Sequence, residues 1–280
     1  ILAIATFSYT QTSTGPLANP PNPDAEFGVI REKQSFFRAA PSSGSPEKPT
    51  QPTPTIKQPP TKEALLKSYI SISSRNARSR DIATEYIQIL YSSRASEKIN
   101  ISNWSVSNSR GFSIPLGAVT NLPGTTRSTN QDQLLLAPGG KVNIVTGRSP
   151  RGENFRANKC VAYFREFNAF TPPISSSCPS LRDEPGQGNF SDICYKYVRG
   201  ISSCKMNLSL PFNLDNNCRD YINKNASYAG CVENHKNDAD FYKDEWWVYL
   251  NRPELIWSDI RDTITLKNAN GEIIQTYSYQ

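Results

Sequence analysis

Six cysteines and a single histidine are the residues of this chain with the widest chemical reach. Cys160, Cys178, Cys194, Cys204, Cys218 and Cys231 all fall in one stretch, and none lies outside it. No CxxC pair occurs and His235 is the only imidazole, so zinc or iron-sulfur ligation lacks both its spacing and its ligands. An even set of widely spaced cysteines in a polar segment fits disulfides, which places the chain in an oxidising compartment. The pairing stays open. An oxidised cysteine is no nucleophile, and His235, set among Glu233, Asn234, Lys236, Asn237, Asp238 and Asp240, reads as part of a polar surface loop rather than a proton relay.

The carboxylates converge on nothing by spacing. Glu233, Asp238, Asp240, Asp244 and Glu245 could supply oxygens to calcium, but no EF-hand spacing or glycine-bearing loop accompanies them, and an acidic surface is the expectation. Glu166, Asp183, Glu184 and Asp192 could pair as glycosidase acid and base, yet sequence spacing says nothing of the separation that chemistry needs. Ala137-Pro138-Gly139-Gly140-Lys141 lacks the Ser or Thr of a phosphate loop and reads as a turn between strands. No catalytic residue, metal or cofactor is therefore expected. Net charge is +6, with Lys and Arg scattered rather than clustered, so nucleic acid is not an expected partner.

The elements that must carry these residues are strands. Period-2 runs recur at Tyr69–Ile72, Tyr86–Leu90, Ile99–Val106, Phe112–Ile114, Leu134–Leu136 and Val142–Val145, separated by turn residues. The pattern resumes at Trp246 and ends in two strands around Asn268-Ala269-Asn270-Gly271. A lone hairpin is marginal in water, so those closing strands need partners from the first group. The intervening part, about 149–243, then becomes an insertion, with short helices expected around Ser191–Lys205 and Cys218–Cys231 and an apolar face at Ile193, Tyr197 and Ile201. Trp104, Trp246 and Trp257 are the expected core anchors. Alternation puts Trp246 and Val248 on one face of their strand and Trp247 and Tyr249 on the other, and the insertion is expected to cover the second face.

Residues 1–63 differ in kind. Pro, Ser, Thr and Gln dominate the stretch up to Thr61, which favours an extended arm without a core. Ile1-Leu2-Ala3-Ile4-Ala5-Thr6-Phe7 is too short to cross a membrane. It reads as what remains after an upstream signal or anchor segment, or as a strand lent to a neighbouring subunit. Ile1, Leu2, Ile4, Phe7, Tyr9, Phe27, Phe36 and Phe37 are the arm residues expected to make contacts. Asn-X-Ser sequons mark Asn100, Asn189, Asn207 and Asn225 as candidate glycosylation sites, with Asn103 disfavoured by its neighbour Trp104.

Glu85-Tyr86-Ile87-Gln88-Ile89, Ile99-Asn100-Ile101-Ser102-Asn103-Trp104-Ser105-Val106, Phe112-Ser113-Ile114-Pro115 and Leu136-Ala137-Pro138-Gly139-Gly140-Lys141-Val142-Asn143-Ile144-Val145 together resemble the lamin-tail domain. Asp262–Leu266 with Asn270–Ile274 and Tyr279 looks like that family's last hairpin. The stretch from Thr146 to Pro179 is similar to exported lamin-tail proteins of ultrasmall, reduced-genome bacteria, in which a Cys-containing insertion follows the Pro-Gly-Gly strand. One departure is Asn103, where the family commonly has Gly. The resemblance implies a mainly β fold: an immunoglobulin-like antiparallel β-sandwich over 64–280, with a disulfide-rich, partly helical insertion and an extended N-terminal arm. It carries no settled catalytic residues. The expected function is a non-catalytic, extracellular or cell-surface structural protein, a homo-oligomer or polymer joined through the arm. Envelope attachment would come through an upstream segment. The alternative is a monomeric tethered adhesin or glycan-binding module facing glycans or a host-cell surface.

Overall fold

Alternating apolar residues become strands wherever both faces of the pleat find cover. A computed structural model describes residues 61–124, 132–206 and 209–280. The arm residues expected to make contacts, and the sequon at Asn207, lie outside the described residues. The first strands are β1 (Ile70–Ser73), β2 (Tyr86–Tyr91), β3 (Ile99–Asn100), β4 (Ser105–Ser107), β5 (Ser113–Pro115) and β6 (Val119–Thr120). Then follow β7 (Leu135–Leu136), β8 (Lys141–Val145), β9 (Asn154–Asn158), β10 (Tyr242–Tyr249), β11 (Asp262–Lys267) and β12 (Ile273–Tyr279). The chain is mainly β. Its strands form a six-stranded sheet in the order β1-β2-β8-β10-β9-β6, a four-stranded sheet in the order β12-β11-β4-β5, and the short pair β3-β7.

The closing hairpin, β11 and β12, finds its partner in β4: Leu266 lies opposite Val106 and Thr265 opposite Ser107. The expectation of a purely antiparallel arrangement needs correcting. β10 runs parallel to β8, with Trp246 beside Val142 and Val248 beside Ile144, and β6 runs parallel to β9. Parallel neighbours require a long crossover, and the insertion between β8 and β10 is that crossover. A strand inside that stretch, β9, joins the large sheet against β10.

The two sheets share one apolar core. Ile87 and Ile89 of β2, Val142 and Ile144 of β8, and Trp246 and Val248 of β10 meet Val106, Ile264, Leu266 and Ile274 from the smaller sheet. Trp104, Trp246 and Trp257 all lie in this cluster. Each such side chain contributes about 2 kcal/mol by leaving water. Asn103 holds a left-handed backbone at φ 61°, the conformation that favours Gly and tolerates Asn. Asn103 therefore accommodates the turn into Trp104.

The opposite face of the large sheet is divided. Near β1 it is polar: Arg75 Nε donates to Gln88 Oε1 (2.6 Å), Gln88 Nε2 to Asn143 Oδ1 (2.6 Å), and Asn143 Nδ2 to Glu245 Oε1 (3.0 Å). Toward β9 it is apolar, with Val145, Phe155, Trp247 and Tyr249 all buried in a second cluster. That half cannot remain in water, so it fixes where the insertion docks.

Four α-helices, besides the 3-10 turns at Val161–Glu166 and Leu181–Asp183, complete the described residues. They are α1 (Lys62–Tyr69), α2 (Asp192–Gly200), α3 (Asn216–Asn225) and α4 (Tyr228–His235). Each opens on a side-chain cap: Thr61, Ser191, Asp215 and Ser227 accept from the backbone N–H three residues on. The stretch Cys218–Cys231 is therefore two helices, broken where Ser227 caps the second. α1, which straddles the expected arm boundary, carries the i,i+4 pair Glu63–Lys67 at 2.7 Å.

Candidate recognition surface

The three disulfides join Cys160 to Cys231, Cys178 to Cys204 and Cys194 to Cys218. All six cysteines are therefore oxidised, the pattern of an oxidising compartment, and among the described residues no helix is long and apolar enough to cross a membrane. Cys160, just after β9, is tied to α4, which fastens the insertion onto the Trp247 face of the sheet. There Phe155 stacks on Trp247 with ring centroids 5.7 Å apart, and Trp247 Nε1 donates to the Pro172 carbonyl. Cys194 ties α2 to α3, and Ser191 donates to Asp215 Oδ2 (2.9 Å), so the two helix caps are joined as well. Asp215 is held below the usual carboxylate range by the Cys218 N–H and the Ser191 hydroxyl.

One close approach makes the insertion intolerant of change. Gly230 of α4 lies so near the end of α3 that a Cβ there would overlap the Lys224 carbonyl and come 2.8 Å from Asn225 Cα. Gly230→Ala is expected to cost about 3 kcal/mol in thermal unfolding, since backbone rather than a flexible side chain would have to move. Tyr249 carries the opposite lesson. Its hydroxyl is buried with no hydrogen-bond partner among the described residues, and burial alone pushes its ionisation above the ordinary tyrosine range. Tyr249→Phe is expected to leave the melting temperature unchanged or raise stability by about 1 kcal/mol.

His235 does not sit in a free loop. It ends α4, with Nδ1 facing Asp238 Oδ2 at 2.8 Å and Nε2 facing Glu184 Oε1 at 2.9 Å. Buried Glu184 also accepts from Asn234 (2.8 Å), and Lys159 reaches Asp238 (2.8 Å) and Asp240. Both ring nitrogens are thus taken by carboxylates, and the geometry is a clamp between α4, the turn at Leu181–Asp183 and the end of β9. Burial works against the imidazolium, but the bonds to Asp238 and Glu184 outweigh it and lift the pKa above 6.5. A raised pKa means the clamp contributes fully below about 6.5 and fades as pH climbs through the folded value. Melts between pH 5 and 9 should show stability falling on the alkaline side, a slope that His235→Gln removes.

The other carboxylates considered for chemistry have separate partners. Asp244 pairs with Arg156, Glu245 with Lys141, and Glu233 with Lys236. Among the described residues no group of three His, Cys, Asp or Glu side chains could hold a metal. Glu166 accepts from the Met206 N–H (2.7 Å), whereas Glu184 belongs to the histidine clamp. Of the sequons, Asn225 is buried, donating to the Tyr221 carbonyl and accepting from Asn234, so it offers no free amide. Asn100 and Asn189 are exposed.

An apolar groove remains open on the insertion. The apolar face expected on α2 is only partly covered: Cys194 and Val198 turn inward toward α3, Tyr197 and Ile201 pack half-buried against the same cluster, and Ile193 stays 55% exposed. Ile193, Tyr197 and Ile201 line a groove of about 840 Å³ with Met206 and Leu214. Lys196 and Lys205 stand at it, and Phe212, 96% exposed, lies in the chain between two lining residues, Pro211 and Asn213. Period-4 spacing marks these α2 residues as one apolar face of a helix and does not say whether that face is buried. No family model matches this chain, and no curated protein or solved structure does either.

Proposed function

We propose that this chain is a non-catalytic, exported cell-surface protein that works by docking, as a subunit of an extracellular assembly. The observation that carries the reading is the exposed apolar groove on an insertion whose own fold is locked by disulfides. A rigid apolar surface facing water is what a docking site requires and what an isolated domain otherwise avoids. In this reading the two sheets are an immunoglobulin-like sandwich of the lamin-tail kind, supported by the closing hairpin on β4 and by the left-handed Asn103 at the family's glycine position. The N-terminal arm supplies contacts to the next subunit.

Sedimentation velocity and electron microscopy of the full chain test this directly. Concentration-dependent oligomers or filaments, lost when Ile1 to Tyr9 are deleted, are the expected result. A chain that stays monomeric at every concentration would sink it, and monomers that bind polysaccharide or cells would establish the adhesin alternative.

A further inference from the structure

Resting on the assembly reading above, we infer that the groove beside α2 receives the segment Asp24-Ala25-Glu26-Phe27-Gly28-Val29-Ile30 from a second copy of this chain. The groove is built, not incidental. One wall is α2, fixed to α3 by Cys194–Cys218 and by the Ser191–Asp215 bond. The other begins at Cys204, fixed to Cys178, and continues through Met206, whose N–H is held by Glu166 Oε2 at 2.7 Å. Arg219 adds a bond to the Leu214 carbonyl (2.9 Å) and another to that of Pro211. Walls fixed in this way lose little freedom on binding, so apolar contact there converts efficiently into affinity.

Charge selects the occupant. Glu166, the acidic residue lining the groove, accepts from the Met206 N–H and pairs with Lys205 at 3.9 Å, whereas Lys196 makes no ion pair among the described residues. The site is thus apolar, with Lys196 as the lysine left for a carboxylate from outside. Within residues 1–60, Asp24–Ile30 places two carboxylates directly before Phe27, Val29 and Ile30, matching that lysine over an aliphatic and aromatic floor. The chain between Ile30 and Thr61 can span roughly 100 Å at full extension, enough to reach a neighbouring molecule.

A charge-swap on the full chain tests the pairing. Lys196→Glu with Lys205→Glu should weaken self-association measured by sedimentation at least tenfold, as should Asp24→Lys with Glu26→Lys. Combining all four changes should restore it. Phe27→Asp should act like the groove variants, and mixing a Phe27→Asp chain with a Lys196→Glu, Lys205→Glu chain should yield only capped pairs, each with one intact groove and one intact segment. Melting curves of these surface variants should match the parent. Association that ignores these charges, yet is lost when Ile1 to Tyr9 are deleted, would overturn the groove assignment and leave the assembly reading standing. A parent chain that never associates would overturn both, as would a monomer whose groove is filled by its own arm.

Discussion

Replacing Glu85 with alanine is expected to lower stability by about 3–5 kcal/mol, read by chemical denaturation, although the residue lies on no candidate surface. Glu85 is 0% exposed, directly before β2. Its Oε2 accepts from the Ile256 N–H (2.9 Å) and from the Thr146 hydroxyl, and its Oε1 from the Trp257 N–H (3.1 Å). One carboxylate thereby joins β2, the end of β8 and the loop that delivers Trp257 to the core. Alanine would strand these donors in the interior. Glutamine is expected to cost less, about 1–3 kcal/mol, because its amide group must face one of the two backbone N–H groups.

The same carboxylate has a pH signature. Burial raises its pKa above 4.5, and the donors from Thr146, Ile256 and Trp257, with Arg110, only partly offset that. The folded state therefore holds the proton more tightly than the unfolded chain. Its favourable contribution is complete below 4.5 and declines as pH rises through the folded value. Glu85→Gln should flatten that decline, leaving the separate alkaline slope of His235 intact.

How much of this was legible beforehand depends on whether a residue's role is local. The β11–β12 hairpin was legible because Asn268 to Gly271 mark the turn and a hairpin cannot stand alone. The two-faced β10 was legible because Trp246 and Trp247 alternate, and only a second cover can dry both sides. β9 was not, since Asn154-Phe155-Arg156-Ala157-Asn158 alternates with only two apolar side chains, and its strand character comes from pairing with β10. Glu85 was equally hidden, because a carboxylate is buried only when distant donors converge on it. The groove was not legible for a related reason: a face spaced by four residues says helix, but which face is buried was set by the Cys194–Cys218 bond. The same dependence on distant pairing explains why β10 runs parallel to β8.

The Cys160–Cys231 bond makes that dependence measurable. It closes a separation of 71 residues, against 24 for Cys194–Cys218 and 26 for Cys178–Cys204. Loop-closure entropy assigns it about 4.4 kcal/mol and the shorter bridges about 3.5 kcal/mol each. Both sulfurs also lie buried in the cluster with Phe155 and Trp247, so replacing the pair with alanines removes packing as well as the crosslink. Cys160→Ala with Cys231→Ala should therefore be the most damaging disulfide deletion in denaturant titrations. The core shared by the two sheets contains no cysteine, and Trp104, Trp246 and Trp257 sit there while Trp247 sits under the insertion. Fluorescence should consequently report loss of the Trp247 environment at lower denaturant than loss of the other three. A single transition for all four, unshifted from the parent, would mean that the insertion is held by its apolar face and ion pairs alone, and that the long bridge is dispensable to the fold.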